Sequence, residues 1–175
     1  MQRTLVTVLL VLILGAGESP EARPQAHAQP DALAPLQFLI GNWQAIDTPA
    51  GESGSFTFKP SVLGRIIVRT NEANYAATAE RPASRHEDLL VIYEENGSLK
   101  ADYFDSEAHV IRYVVQAPGP GSVTFISDPN PREARYRLTY AARPDGVLLG
   151  TFEIAPPGSP DGFKSYLSWK ARRVS

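Results

Sequence analysis

The chain of 175 residues contains no cysteine, and this absence excludes several kinds of site and of stabilisation. Disulfide bonds, thiolate metal ligands and a lipid anchor on cysteine are all impossible. Only three histidines are present, so few imidazoles are available for metal binding or acid–base chemistry. The fold must therefore be stabilised by apolar burial, and a chain of this length suits a single domain.

An excess of either charge is also missing. The chain has 17 basic and 19 acidic residues and a formal net charge of −2. Surfaces that bind nucleic acids are usually basic, so we expect no nucleic-acid partner. The longest apolar run, residues 5–14, is too short for a membrane-spanning helix of roughly 20 residues. We therefore expect no transmembrane segment in the mature chain.

The N-terminal segment has the pattern of a secretory signal peptide. Arg3 precedes the apolar run, and the small residues of Ala26-His27-Ala28 suit a cleavage site. We predict a signal peptide over residues 1–28 and a single domain over residues 29–175, in a secreted or periplasmic protein. Cleavage near Gly17 and an uncleaved anchor are the alternatives.

Short segments rich in β-branched and aromatic residues follow one another from residue 42 onward, separated by turn residues. Asn96-Gly97 is the strongest hairpin signal, because both residues readily adopt positive φ. The short links predict an antiparallel meander, and closing it removes exposed edges. We predict an all-β fold, a ten-stranded antiparallel up-and-down β-barrel with a short N-terminal helical segment; a two-sheet sandwich is the alternative. The predicted strands are 42–47, 53–59, 64–72, 86–95, 98–105, 108–116, 121–127, 134–142, 147–155 and 164–173.

The segment LQFLIGNW, residues 36–43, leads through Gly41 into Trp43. It resembles the L-x-x-L-x-G-x-W motif of the calycin superfamily, which includes lipocalins, fatty-acid-binding proteins and nitrobindin-like proteins, and especially its bacterial secreted members of unknown function. The resemblance implies that Trp43 packs at the closed base of the barrel and that the lumen binds a small, largely apolar molecule. Nitrobindin-like members bind haem through a histidine near the C-terminus. The last predicted strand has no histidine, so we expect no haem and no other cofactor.

Side-chain alternation divides the central hairpin into two faces. A two-residue loop at Asn96-Gly97 places Leu90 opposite Tyr103, and we predict that the next loop covers residues 105–108. The face that we expect to line the lumen contains His86, Asp88, Leu90, Ile92, Ala101, Tyr103, Val110, Arg112 and Val114. The opposite face contains Glu87, Leu89, Val91, Tyr93, Lys100, Asp102, Phe104, His109, Ile111 and Tyr113.

Arginines inside otherwise apolar strands suggest how a ligand could be held. An inward guanidinium can pair with an anionic head group, and tyrosine hydroxyls can add hydrogen bonds beside apolar ring surface. Such hydroxyls belong to Tyr103, Tyr113, Tyr136 and Tyr140. We predict that the lumen binds or carries a small amphipathic, anionic, hydrophobic ligand. The candidate site residues are Arg112, Tyr103, Arg65, Arg69, Arg137, His86 and Asp88.

Two other functions fit the same barrel. One is an enzyme with His86 or His109 as the proton carrier, although we expect a protein without catalytic activity. The other is an interaction module whose barrel is filled by side chains. A metal site is a further hypothesis, formed by Asp102, Asp105, Glu107 and His109. We expect no metal there, because carboxylates are common in hairpin turns.

Overall fold

The computed structural model describes residues 31–174, apart from the side chain of Pro118, and it forms a closed antiparallel barrel. A 3-10 helix over Ala34–Leu39 precedes the barrel. The strands are β1 (Gly41–Ile46), β2 (Glu52–Ser61), β3 (Ile66–Tyr75), β4 (Ser84–Glu95), β5 (Ser98–Asp105), β6 (Val110–Gly119), β7 (Ser122–Ser127), β8 (Arg135–Ala142), β9 (Val147–Ala155) and β10 (Lys164–Val174). Each strand pairs with its neighbours in sequence, and β1 also pairs with β10.

The predicted fold class is therefore confirmed, including the short helical segment, and the sandwich alternative is wrong. No helix within residues 31–174 is long and apolar enough to cross a membrane. The predicted signal peptide and its cleavage site lie outside the described residues.

The 3-10 helix closes one end of the barrel, here called the base. Leu36 and Leu39 are fully buried in the core. The indole Nε1 of Trp43 donates a hydrogen bond to the carbonyl of Leu39 at 2.8 Å. The guanidinium of Arg173, on β10, lies 4.8 Å from the Trp43 ring centroid and donates to the carbonyl of Phe38 at 3.0 Å. The first and last strands thus hold the helix against the base.

Aromatic side chains fill the barrel next to the base. Tyr140 is central, because its ring lies 5.4 Å from Phe58 and 5.8 Å from Trp169, centroid to centroid. Gly150, opposite Trp169 in the β9–β10 pair, lets that indole lie against the backbone of β9. A Cβ at Gly150 would come within 2.1 Å of the Trp169 ring.

The β4–β5 hairpin has the predicted register. Asn96 and Gly97 both have positive φ, at 52° and 76°, and Leu90 pairs with Tyr103. His86, Asp88, Leu90 and Tyr103 face the interior, as expected from alternation.

The predicted register of β5 against β6 is wrong by one residue. The loop extends to His109, whose carbonyl accepts a hydrogen bond from the Asp105 amide at 3.3 Å, and Ala108 adopts a φ of 68°. Tyr103 consequently pairs with Ile111, and the inward residues of β6 are Ile111, Tyr113 and Val115. Arg112, Val110 and Val114 face outward instead. In hairpin loops of this kind the residue with left-handed backbone conformation is usually glycine, but here it is Ala108.

The interior is accessible from the end opposite the base, here called the open end. Inward-facing residues near the base, such as Leu90 and Phe125, are fully buried. Inward-facing residues towards the open end, including Asn71, Tyr136 and Phe152, are only partly buried. Solvent therefore reaches the interior through the open end.

The close approach at Gly150 predicts a marked loss of stability for Gly150→Ala. A methyl group would displace the Trp169 indole, and overpacking of this kind costs about 1–3 kcal/mol. Gly119→Ala is the matched control, because a Cβ there meets nothing within 4 Å. Urea unfolding of the two variants measures the difference; equal midpoints would contradict the packing described.

Candidate functional site

An ion pair between β3 and β4 occupies the middle of the barrel. Arg69 Nη1 donates to Asp88 Oδ1, and both side chains are only 5% exposed. Asn71 Nδ2 donates to the other oxygen, Asp88 Oδ2, at 2.9 Å. The Arg69 guanidinium also lies over the rings of Phe56 and Tyr140, at 5.3 and 5.9 Å from their centroids. These contacts hold a charged pair among apolar rings.

The Asp88 carboxyl is stabilised in its charged form. Burial by itself would raise its pKa, but the Arg69 charge and the hydrogen bonds from His86 and Asn71 outweigh burial. The pKa of Asp88 therefore lies below its ordinary value. Asp88 is ionised at neutral pH and compensates the buried charge of Arg69.

His86 lies between the ion pair and the open end. Its Nε2 is 3.3 Å from Asp88 Oδ2, and its Nδ1 is 2.8 Å from Glu107 Oε2. The hydrogen bond with Asp88 raises the pKa of His86, burial opposes this, and the Glu107 charge adds to the increase. Tyr103 OH is 3.4 Å from His86 Nε2. Both ring nitrogens thus face carboxylates.

Three buried polar atoms make no hydrogen bond among the described residues: Arg69 Nε, Tyr113 OH and Tyr140 OH. They share one neighbourhood, because the Arg69 guanidinium lies over the Tyr140 ring, and Phe125 contacts the rings of both tyrosines at centroid distances of 6.2 and 6.4 Å. Burial raises the pKa of both phenols above the ordinary value, so both hydroxyls keep their protons. The interior therefore contains three buried donors whose hydrogen-bonding capacity is unused among the described residues.

The β5–β6 loop adds a second polar feature at the open end. Asp105 Oδ1 accepts hydrogen bonds from the backbone amides of Glu107 and His109, at 3.0 and 2.9 Å. His109 Nδ1 lies 2.9 Å from Asp105 Oδ2. Burial raises the pKa of Asp105, but the hydrogen bonds from His109 outweigh it and keep the pKa low. This carboxylate shapes the loop and stays ionised.

The structure brings together four of the seven predicted site residues: Arg69, His86, Asp88 and Tyr103. Of the other three, Arg65 is exposed in the β2–β3 turn. Arg137 faces outward and forms a bidentate ion pair with Glu153, at 2.6 and 2.7 Å. Arg112 is exposed on the outer surface, because of the register difference between β5 and β6. The expectation that Arg112 faces the lumen is therefore wrong.

Two residues in contact with this group were not predicted, namely Asn71 and Glu107 as a partner of His86. Asn71 shares the inward face of β3 with Arg69, so alternation from Arg69 would have identified it. Glu107 reaches His86 only because the loop folds back towards β4, and no sequence pattern indicates that contact.

Models of known protein families and curated protein sequences give no match to this chain.

Because Asp88 pairs with Arg69, we predict that Asp88→Asn lowers the free energy of unfolding by an amount that depends on pH. Breaking a buried pair leaves one charge uncompensated and costs about 3–5 kcal/mol. Because the folded pKa of Asp88 is lowered, its contribution is present above the unfolded pKa of about 3.9 and is lost as the pH falls through the folded value.

Unfolding free energies of wild type and Asp88→Asn should differ most near pH 7 and converge at acid pH. The outward Asp102→Asn is the control and should show a smaller difference at pH 7. A gap that is constant with pH would contradict the role given to the Asp88 charge.

Proposed function

We propose that the protein binds a small amphipathic molecule inside the barrel, and that the polar head of this molecule accepts hydrogen bonds from Arg69, Tyr113 and Tyr140. The observation that carries this proposal is the group of three buried donors that make no hydrogen bond within the described part of the chain. A buried polar atom without a partner costs about 1–3 kcal/mol, so an acceptor that reaches all three gains the energy of forming these bonds.

The ligand would enter the barrel through the open end. Aromatic rings there would contact its apolar body. Phe152 and Tyr136 stack there with ring centroids 5.9 Å apart, and Tyr166 contacts Phe152 at 6.3 Å. These rings supply apolar area beside polar tips, which suits the body of an amphipathic molecule.

A carboxylate is the head group that we propose, in keeping with the predicted anionic ligand. Its oxygens accept from a guanidinium and from phenol hydroxyls. Asp88 already compensates the charge of Arg69. The head is therefore held mainly by hydrogen bonds, and an uncharged acceptor of similar shape should bind only moderately more weakly.

Membership of the calycin superfamily is part of this proposal. A closed ten-stranded antiparallel barrel is compatible with it. Support also comes from the base, where Gly41 leads from the 3-10 helix into Trp43, and the indole is buried against that helix. Small-molecule binding in the lumen is what this resemblance implies.

The geometry favours ligand binding over acid–base catalysis. His86 does face the interior beside a carboxylate and a tyrosine, as a catalytic histidine would. Both of its nitrogens, however, already have carboxylate partners, Glu107 and Asp88. A side-chain-filled interaction module explains the aromatic packing near the base, but it does not explain the buried donors without partners.

Tyr→Phe substitutions test the proposed head site. The variant Tyr113→Phe/Tyr140→Phe removes only two hydroxyls. Each hydrogen bond to a ligand is worth about 0.5–1.5 kcal/mol, so we expect roughly tenfold weaker binding of fatty acids of 10–18 carbons. Stability without ligand should stay equal or rise, since no hydrogen bond among the described residues is lost.

Displacement of the fluorescent probe 8-anilinonaphthalene-1-sulfonate measures binding, and matched fatty alcohols show the effect of head-group charge. The control is Tyr93→Phe, whose hydroxyl bonds to Asp102 at 3.3 Å. The proposal fails if wild type binds neither acids nor alcohols, or if the double variant binds them as wild type does.

We also propose that the protein is exported to the periplasm or the medium, on the basis of the N-terminal pattern alone. N-terminal sequencing of the exported chain should then begin at Gln29. Replacing both small residues, Ala26→Leu and Ala28→Leu, should leave the precursor uncut. An intact N-terminus on cytosolic wild-type protein would contradict export.

A further inference from the structure

Three potential metal ligands meet at the rim of the open end. They are His86 at the start of β4, and Asp105 and Glu107 at the β5–β6 hairpin. One ligand atom from each lies within 4.8 Å of the other two. Ligand atoms around a tetrahedral zinc ion lie roughly 3.4 Å apart, since each is about 2.0–2.2 Å from the metal. Small side-chain movements would therefore bring all three to one ion.

His86 is oriented as metal-binding histidines usually are. Such histidines donate their second ring N–H to a carboxylate or a carbonyl, which fixes the tautomer and the ring plane. Here Nδ1 faces Glu107, while Nε2 faces the buried Asp88. Asp88 is in turn held by Arg69 and Asn71, so the orienting carboxylate belongs to the barrel interior and not to the rim.

Charge and access at the rim also suit a cation. Three carboxylates, Asp88, Asp105 and Glu107, surround His86, and the buried Arg69 compensates only one of them. The Glu107 side chain is 50% exposed and free to adjust, whereas Asp105 is held by two loop amides. Asp105 Oδ2 lies 2.9 Å from His109 Nδ1 and accepts a longer hydrogen bond from Tyr103 OH at 3.4 Å, so ligation of an ion replaces the Tyr103 contact and keeps the one with His109.

We propose that His86 Nδ1, Asp105 and Glu107 bind a divalent transition-metal ion, with Zn²⁺ as the best fit. An imidazole beside two carboxylates suits Zn²⁺ better than Mg²⁺ or Ca²⁺, which prefer oxygen ligands alone. The ion takes the place of the proton between His86 Nδ1 and Glu107 Oε2 and moves the two apart by about half an ångström. With three protein ligands, at least one coordination position stays open to water or to a small molecule entering the barrel.

This site differs from the metal site that the sequence pattern suggested. It shares Asp105 and Glu107 with that hypothesis, but His86 replaces His109 and Asp102. Asp102 is on the outer face of β5, where Tyr93 OH donates to it. His109 is exposed and contacts Asp105 from outside the cluster.

Isothermal titration of the metal-stripped full chain with ZnCl₂ tests the proposal. We expect one equivalent bound in the micromolar range or tighter, and clearly weaker binding of MgCl₂ and CaCl₂. Loss of an outer-shell partner alone costs about 10–100-fold in metal affinity. Glu107→Gln and His86→Gln, which remove direct ligands, should therefore weaken binding at least tenfold.

Glu95→Gln and His109→Gln are the matched controls. Glu95 lies in the β4–β5 hairpin at the other end of the strand, so Glu95→Gln should bind Zn²⁺ as wild type does. Nitrogen-15 shifts of the histidine rings add a measurement on unsubstituted protein: zinc should shift Nδ1 of His86. The proposal is overturned if His109→Gln abolishes binding while His86→Gln does not, or if wild type binds no zinc.

The ligand-binding proposal and the metal-binding proposal can be disproved independently. The Tyr113→Phe/Tyr140→Phe variant should keep its zinc affinity, because neither hydroxyl contacts the rim cluster. Glu107→Gln should keep its affinity for fatty acids in buffer with EDTA. Loss of zinc binding in the tyrosine variant would show that the rim cluster is not an independent site.

Discussion

The buried ion pair between Arg69 and Asp88 is the interaction on which both proposed sites depend. It places a guanidinium among aromatic rings, where one N–H of Arg69 has no hydrogen-bond partner in residues 31–174. It also keeps Asp88 ionised, and that carboxylate orients His86 towards Glu107. The same two side chains thus support both the proposed ligand site, whose donors lie on the base side, and the proposed cation site at the rim. An apolar pair of the same size would provide neither.

Closure of the barrel explains why such a pair can exist. Every second residue of every strand must face the interior, so Arg69 on β3 meets Asp88, its diagonal neighbour on β4, with no alternative partner in solvent. Near the base, aromatic rings and the 3-10 helix exclude water from one side of the pair. Towards the open end, Asn71, Tyr103 and His86 remain partly exposed and connect the pair to solvent. The polarity of the interior therefore changes along the barrel axis.

Local sequence patterns predicted the strands, their order and the face of β4 and β5 that lies inside. Asn96-Gly97 determined that register because its turn requires positive φ at two positions, and both residues adopt positive φ readily. The next hairpin carries no such preference, since Ala108 adopts its left-handed conformation without being glycine. That one residue turns Arg112 outward and brings Tyr113 inward. Which of the four candidate arginines would be buried was likewise beyond local patterns, because it depends on a partner on the neighbouring strand. That partner is Asp88, diagonal to Arg69, inside the barrel and Glu153, opposite Arg137, outside it.

The tyrosine hydroxyls are the strongest argument that the interior is more than a filled core. Tyr140 packs edge-on against Phe58 and Phe125, so a phenylalanine at residue 140 would make the same ring contacts. The hydroxyl adds only a buried donor, whose desolvation costs about 1–3 kcal/mol without a partner. The same holds for Tyr113 beside Phe125. A barrel whose interior held only its own side chains would be more stable without either hydroxyl. A barrel that binds an acceptor group between Arg69, Tyr113 and Tyr140 would recover the desolvation cost on binding.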